Sequence, residues 1–174
     1  MKKITKYIPT IILTLLCSCS DYLDIVPDNV TTLDIVFNNR NTAERYLANC
    51  YHFVPDHGSV KRIPGMGAGH ECWFYTTNDS HFDNEVSFYI ARGLQNIDAP
   101  YANYWDGEGG SNLPMFRAIR ECNIFLDYVR DQHKVNDLTD SERKRWIAEV
   151  NVLKAYYHFF LFEHYGPIPI VDKA

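Results

Sequence analysis

The sequence has no hydrophobic run long enough to span a bilayer. The apolar stretch YIPTIILTLL near the N-terminus provides about ten apolar or weakly polar residues, whereas a membrane-spanning helix needs about 20. It follows Lys2, Lys3 and Lys6, and a basic start before a short apolar core is typical of a secretory signal peptide. Residues 1–18 are therefore predicted to be a lipoprotein signal peptide, so any membrane attachment would be by lipid alone.

The lipid site is predicted from the residues that end this leader. Leu16-Cys17-Ser18-Cys19 fits a lipobox, in which a small residue precedes the cysteine whose thiol takes diacylglycerol. Cys19 is therefore the predicted lipidation site, and residues 19–40 are predicted to form a lipidated tether. The alternative is a plain secretory signal that is cut elsewhere.

Cysteine is too scarce and too unevenly numbered for a disulfide framework. Beyond Cys19 only Cys50, Cys72 and Cys122 remain, an odd number that cannot pair completely. Cys50 and Cys122 fall on apolar faces of predicted helices, where cysteine usually acts as a small buried hydrophobe. Both are expected in the core.

Basic residues are also fewer than acidic ones. The chain has 17 lysines and arginines against 22 acidic residues, for a net charge of −5. A nucleic-acid partner would require a basic face to meet the phosphates. No nucleic-acid binding is therefore expected.

Motifs for metal binding and catalysis are missing as well. Gly65-Met-Gly-Ala-Gly69 follows Pro64 rather than a strand, so it fails the context of a phosphate loop. No Ser-His-Asp or Cys-His set can be recognised. The possible metal ligands match no compact zinc pattern; they are His57, His70, Cys72, His81 and Asp83. We therefore predict no enzyme activity, no metal site and no cofactor.

The chain does have long helical patterns, and the clearest is near its C-terminus. Thr139 and Glu142 have the spacing of a capping box, and Gly166 and Pro167 end the helix. One apolar stripe is Trp146, Val150, Leu153, Tyr157, Phe160 and His164, and a second is Ile147, Val152, Ala155, Tyr156 and Phe159. A helix that is apolar on two faces must be covered on two sides.

Two further helices are predicted, over residues 41–54 and 112–133. Asn41 and Glu44 have capping-box spacing for the first. About six polar residues separate the second from the C-terminal helix, a length that favours antiparallel neighbours. Together the three helices predict an all-α fold.

The irregular segment between residues 55 and 111 mixes aromatic and polar side chains. Sugar rings stack on indole and phenol, and their hydroxyls pair with amides, carboxylates and arginine. Trp73, Tyr75, Asn78 and Arg92 are the candidate ligand-binding residues. The alternative is that these aromatics fill the core beneath a long loop, since Trp and Tyr are usually mostly buried.

Four stretches, in order, make the sequence resemble the RagB/SusD family of surface lipoproteins from Bacteroidetes nutrient-uptake systems. They are Cys19-Ser-Asp-Tyr-Leu-Asp24, the helix from Asn41 to Phe53, Ala118-Ile-Arg-Glu-Cys-Asn-Ile-Phe-Leu126, and Leu153-Lys-Ala-Tyr-Tyr-His-Phe159 with the ending Tyr165-Gly-Pro-Ile-Pro-Ile-Val171. Ser20-Asp21 is also similar to the acidic export tag of such lipoproteins.

The resemblance implies a fold, an activity and partners. The fold would be a tetratricopeptide-like helical repeat with long irregular insertions, incomplete at the C-terminus, with residues 41–174 as a partial N-terminal domain. The protein would sit on the outer face of the outer membrane. It would capture a glycan or other nutrient, without catalysis, for a SusC-like TonB-dependent transporter. The alternative is a helical scaffold that binds proteins and no glycan.

Overall fold

The computed structural model describes residues 32–59, 63, 65, 67–69, 86–109 and 111–174. The folded unit spans Leu33–Ala174. Its described helices are α1 (Leu33–Val36), α2 (Arg40–Tyr51), α3 (Val86–Ala91), α4 (Met115–Arg130) and α5 (Asp140–Tyr165). No strand occurs among the described residues, and the predicted all-α class is confirmed. The tetratricopeptide-like repeat remains a prediction.

Helix α5 begins and ends as its sequence predicts. The Thr139 side chain accepts a hydrogen bond from the Glu142 amide, and the Glu142 carboxylate accepts one from the Thr139 amide, which completes the capping box. At the other end Gly166 has a φ of 75° and its amide donates to Phe162 O. The 26 residues between these ends give a helix about 39 Å long.

Helices α4 and α5 form the main helix pair. The short connection between them makes them antiparallel, as predicted, and the start of α4 lies close to the end of α5. Tyr104 links these two ends: its carbonyl accepts from the Met115 amide at 2.9 Å and its amide donates to the Tyr165 hydroxyl at 2.8 Å. The α4–α5 pair is therefore the scaffold on which the other segments pack.

The chain between these helices is held by Arg143, a residue whose place the sequence analysis did not predict. Only 7% of Arg143 is exposed. Its guanidinium donates to four backbone carbonyls, those of Val129 (2.6 Å), Asp131 (3.2 Å), Lys134 (3.2 Å) and Val135 (3.0 Å). Arg143 thus pairs the end of α4 and the following turn with the first turn of α5.

The first long helix begins before its predicted start. Asn39, not Asn41, is the N-cap of α2, and its side chain accepts from the Thr42 amide at 3.0 Å. Phe37 is fully buried and stacks on Tyr128 with ring centroids 4.5 Å apart. Residues 33–40, predicted to lie in the tether, are therefore part of the folded unit.

The core contains both predicted helical cysteines. Cys50 and Cys122 are free and buried, which confirms that they act as small hydrophobes. The Tyr157 hydroxyl donates to Cys50 O at 2.5 Å and thereby joins α5 to the end of α2. Asn123 is also buried, and its amide donates to Val171 O at 3.2 Å, which fastens the segment after α5 to α4.

Candidate ligand-binding site

The sequence-predicted site residues divide into described and undescribed ones. Cys19, Trp73, Tyr75 and Asn78 lie outside the described residues. Arg92 directly follows α3 and is exposed, with its amide donating to Phe88 O at 3.0 Å. The described residues therefore include only one of the four predicted ligand contacts, and all four remain predictions.

A concave surface lies beside that segment, in the loop that leads from α3 to α4. It encloses about 530 Å³. We call it the acidic hollow, and its lining residues are Asn96, Ile97, Asp98, Ala99, Pro100, Tyr101, Asn103, Asp106, Glu108 and Gly109. Arg92 is not among them, so the structure does not bring this predicted contact into the hollow.

The loop around the acidic hollow is closed by its own hydrogen bonds. The Gln95 side chain makes two hydrogen bonds to the backbone of Tyr101: it accepts from the Tyr101 amide at 2.6 Å and donates to the Tyr101 carbonyl at 2.9 Å. The Ala102 amide donates to Gly109 O at 2.8 Å. Gly109 has a φ of 60°, and a Cβ there would lie 2.1 Å from Pro100 O. Only glycine permits this close approach.

The loop is also anchored to the helical scaffold through Tyr104, which is 2% exposed. Its ring packs edge-on against Phe160 at 5.0 Å and His164 at 4.7 Å between centroids. Burial raises the pKa of the Tyr165 hydroxyl that accepts from the Tyr104 amide. That hydroxyl therefore stays neutral at ordinary pH, and the floor of the loop is fixed to α5.

Tyr101 lines the acidic hollow, and Trp105 directly precedes the lining residue Asp106 in the chain. Tyr101 stacks on Tyr89 with centroids 4.6 Å apart and planes 6° apart. Trp105 packs against Phe116 at 4.5 Å and remains 44% exposed. An indole that is held in place on one side and open on the other presents an apolar face next to polar groups, which is the usual composition of a ligand site.

The polar groups in the acidic hollow suit a ligand rich in hydroxyls. Three of the lining side chains are carboxylates, those of Asp98, Asp106 and Glu108, and Asn96 and Asn103 add amides. The loop uses part of this capacity: Asp106 Oδ1 accepts from the Glu108 amide at 3.0 Å, for example. Carboxylates and amides have several acceptor sites each, so others can accept from ligand hydroxyls.

The described residues offer little for a metal ion or a membrane span. No group of three or more His, Cys, Asp or Glu side chains among them is arranged to hold a metal. Within the same part of the chain, none of the helices has the length and apolar character to cross a bilayer.

The fold and the hollow define the class: an all-α protein that presents a solvent-open site suited to a hydroxyl-bearing ligand. The chain belongs to the SusD-like family, described as starch-binding and associating with the outer membrane, which matches residues 21–174. This confirms the resemblance found in the sequence. No curated protein and no solved structure gave a significant match.

The sequence analysis recognised that the segment between residues 55 and 111 mixes aromatic and polar side chains but missed the polar residues of the hollow. Asn96, Asp98, Asn103, Asp106 and Glu108 were not recognised as a group. The sequence did contain a signal for this group, because Asn and Asp at close spacing near Pro and Gly predict turns that are stabilised by side chains. Such turns concentrate polar side chains in a short segment.

Proposed function

We propose that the protein binds a neutral glycan of the starch type in the acidic hollow, as a surface component at the outer membrane. The family description gives the ligand class and the membrane association. The assignment is supported by the polar lining of the hollow, which includes Tyr101, and by the exposed Trp105, which directly precedes the lining residue Asp106 in the chain. Sugar rings bring C–H faces for the indole and hydroxyls for the carboxylates.

The charge of the hollow selects among glycans. Asp98, Asp106 and Glu108 give the lining three acidic groups, and none of the described residues that line it is basic. A sulfated or uronic-acid polymer would meet like charge there, which disfavours binding. Neutral glucans carry no such penalty, so they are the proposed ligands.

The remaining features of the proposal follow the family. Cys19 would carry the lipid that holds the protein on the outer face of the outer membrane, after removal of residues 1–18. A SusC-like TonB-dependent transporter would receive the captured glycan. Binding would be an equilibrium process through stacking and hydrogen bonds, without bond cleavage. Trp73, Tyr75, Asn78 and Arg92 would extend the contact surface.

The test is calorimetric titration of maltoheptaose into the wild-type protein and into Trp105→Ala. Truncation of an aromatic anchor costs about 2 kcal/mol, so we expect the dissociation constant to rise about thirtyfold. Tyr51→Ala is the matched control, because Tyr51 is also 44% exposed but lies on α2. Its affinity should equal that of the wild type.

Two comparisons make the titration decisive. Dextran sulfate should give no saturable heat if the acidic lining selects neutral chains. Trp73→Ala, measured in parallel, shows whether the second predicted aromatic contributes. Equal affinity of Trp105→Ala and wild type for maltoheptaose would contradict the assignment to this hollow.

A further inference from the structure

Helix α5 has a regular apolar stripe that no described residue covers. The stripe consists of Ala148, Val152, Ala155, Phe159 and Phe162, spaced by four, three, four and three residues. Val152 is 68% exposed, Phe159 58% and Phe162 55%. The alternating spacing of three and four is that of a helix–helix seam. Of the second stripe predicted from the sequence, Ile147 and Tyr156 are partly buried, whereas Val152 and Phe159 are exposed.

An apolar recess lies near each end of the stripe. The first, of about 360 Å³, is lined by Tyr51, Ala148 and Val152 together with neighbouring residues of α5. The second, of about 330 Å³, lies between Phe159 and Phe162 and the segment that follows α5. The first recess has a small residue at its floor, and the second has two phenyl rings at its edge.

We propose that this stripe, which we call the α5 seam, pairs two copies of the chain in an antiparallel dimer centred on Ala155. In that register Ala148 lies opposite Phe162 of the second copy, and Val152 lies opposite its Phe159. Small residues thus face large ones toward both ends of the seam, Ala155 meets Ala155 of the second copy at its centre, and the phenyl rings enter the recess beside Ala148. A symmetric dimer requires this kind of self-complementary surface.

The charges at the edge of the seam support the same register. Arg145 and Glu163 are about five helical turns apart, so they lie on the same edge of α5. In the antiparallel dimer Arg145 approaches Glu163 of the second copy, near the C-terminal end of that copy's helix, where the helix dipole is negative. Each dimer therefore gains two symmetric ion pairs. Arg145 otherwise contacts only Glu149, at 3.5 Å, among the ion pairs of the described residues.

A parallel arrangement of the two α5 helices has neither this shape complementarity nor these ion pairs. It places Phe159 and Phe162 against the same residues of the second copy and Ala148 against Ala148, so large residues meet large ones and small residues leave gaps. It also leaves Arg145 about five helical turns from Glu163 of the second copy, so no ion pair forms between them. Shape and charge therefore both favour the antiparallel dimer.

The test places a benzophenone amino acid at position 155 of the full chain and irradiates it at micromolar concentration. We expect a product of twice the chain mass, cross-linked within residues 148–162 of the second copy. Phe159→Asp should lower its yield at least tenfold, because a carboxylate would then be buried in the seam. Ile97→Asp is the matched control: Ile97 is 93% exposed and lies in the acidic hollow, so the yield should not change.

Charge reversal tests the register. Arg145→Glu should reduce the cross-link several-fold, and adding Glu163→Arg should restore it. Failure of the double variant to recover would overturn the antiparallel register. Absence of the doubled product, or cross-linking of position 155 to another protein or to another segment of the same chain, would overturn the second copy as the occupant of the seam.

Discussion

Arg143→Met is the substitution that tests most sharply how the scaffold is held together. Met keeps much of the aliphatic length of Arg but removes every donor. Four carbonyls would lose the guanidinium at once: those of Val129 and Val135 inside the protein and those of Asp131 and Lys134 nearer its surface. The Asp131 and Val135 carbonyls would keep one backbone donor each, the amides of Lys134 and Leu138. The turn that orients α4 and α5 would then have no side chain to pair with it.

The loss of folding stability in Arg143→Met can be bounded from these contacts. Hydrogen bonds to a charged group contribute about 1.5–3 kcal/mol each, but the contributions are not additive, since water can reach the outer carbonyls. Loss of the two inner bonds alone gives a destabilisation of about 3–5 kcal/mol. For a unit of this size 1 kcal/mol shifts the melting temperature by about 2–4 °C, so a drop of roughly 10 °C is expected.

Urea denaturation followed by circular dichroism measures the effect, with Arg117→Met as the control. The Arg117 side chain is 70% exposed and makes one surface ion pair, so its loss should cost less than about 0.5 kcal/mol. Arg143→Lys should recover part of the stability, because one ammonium group cannot reach all four carbonyls. An Arg143→Met protein within 1 kcal/mol of the wild type would refute the assignment of Arg143 as the main link.

Three other substitutions have defined outcomes. The hydrogen bonds from Thr139 and Arg40 lower the pKa of Glu142 below its usual 4.5. Their contribution to stability is therefore present above that pH and is lost as the pH falls through the lower, folded-state value. Between pH 6 and 3 the melting temperature should fall less steeply for Glu142→Gln than for the wild type. Tyr157→Phe leaves the buried Cys50 carbonyl without its donor and should cost about 1–2 kcal/mol in urea, whereas Tyr51→Phe on the exposed face should cost almost nothing. Gly109→Ala should reduce maltoheptaose affinity with an unchanged helical signal, because its Cβ would meet Pro100 O.

The fold was predictable where the information is local. The capping box of α5 involves Thr139 and Glu142, three residues apart, and the glycine that ends the helix directly follows it. The start of α2 was harder to predict because Asn38, Asn39 and Asn41 stand together and each can cap a helix. The choice of Asn39 depends on tertiary contacts, since burial of Phe37 fixes where the helix can begin.

The ligand class was predictable from the sequence, but the position of the candidate hollow was not. Aromatic and polar residues in the loop indicated a glycan site, and the family match agrees with that ligand class. The hollow itself depends on contacts between separated residues, such as the Ala102 amide with Gly109 O and the Tyr104 amide with the Tyr165 hydroxyl. Neither periodicity nor spacing reveals such contacts. The buried position of Arg143 was missed for the same reason, because its partners are carbonyls, which every residue has.

Hydrogen–deuterium exchange with and without maltoheptaose tests the central claim most directly, because it locates bound glycan on the chain. The account predicts slower exchange in residues 96–109 at saturating glycan, with residues 148–162 unchanged. Saturable binding that leaves the exchange of residues 96–109 unaltered would contradict it, since the glycan would then be bound elsewhere.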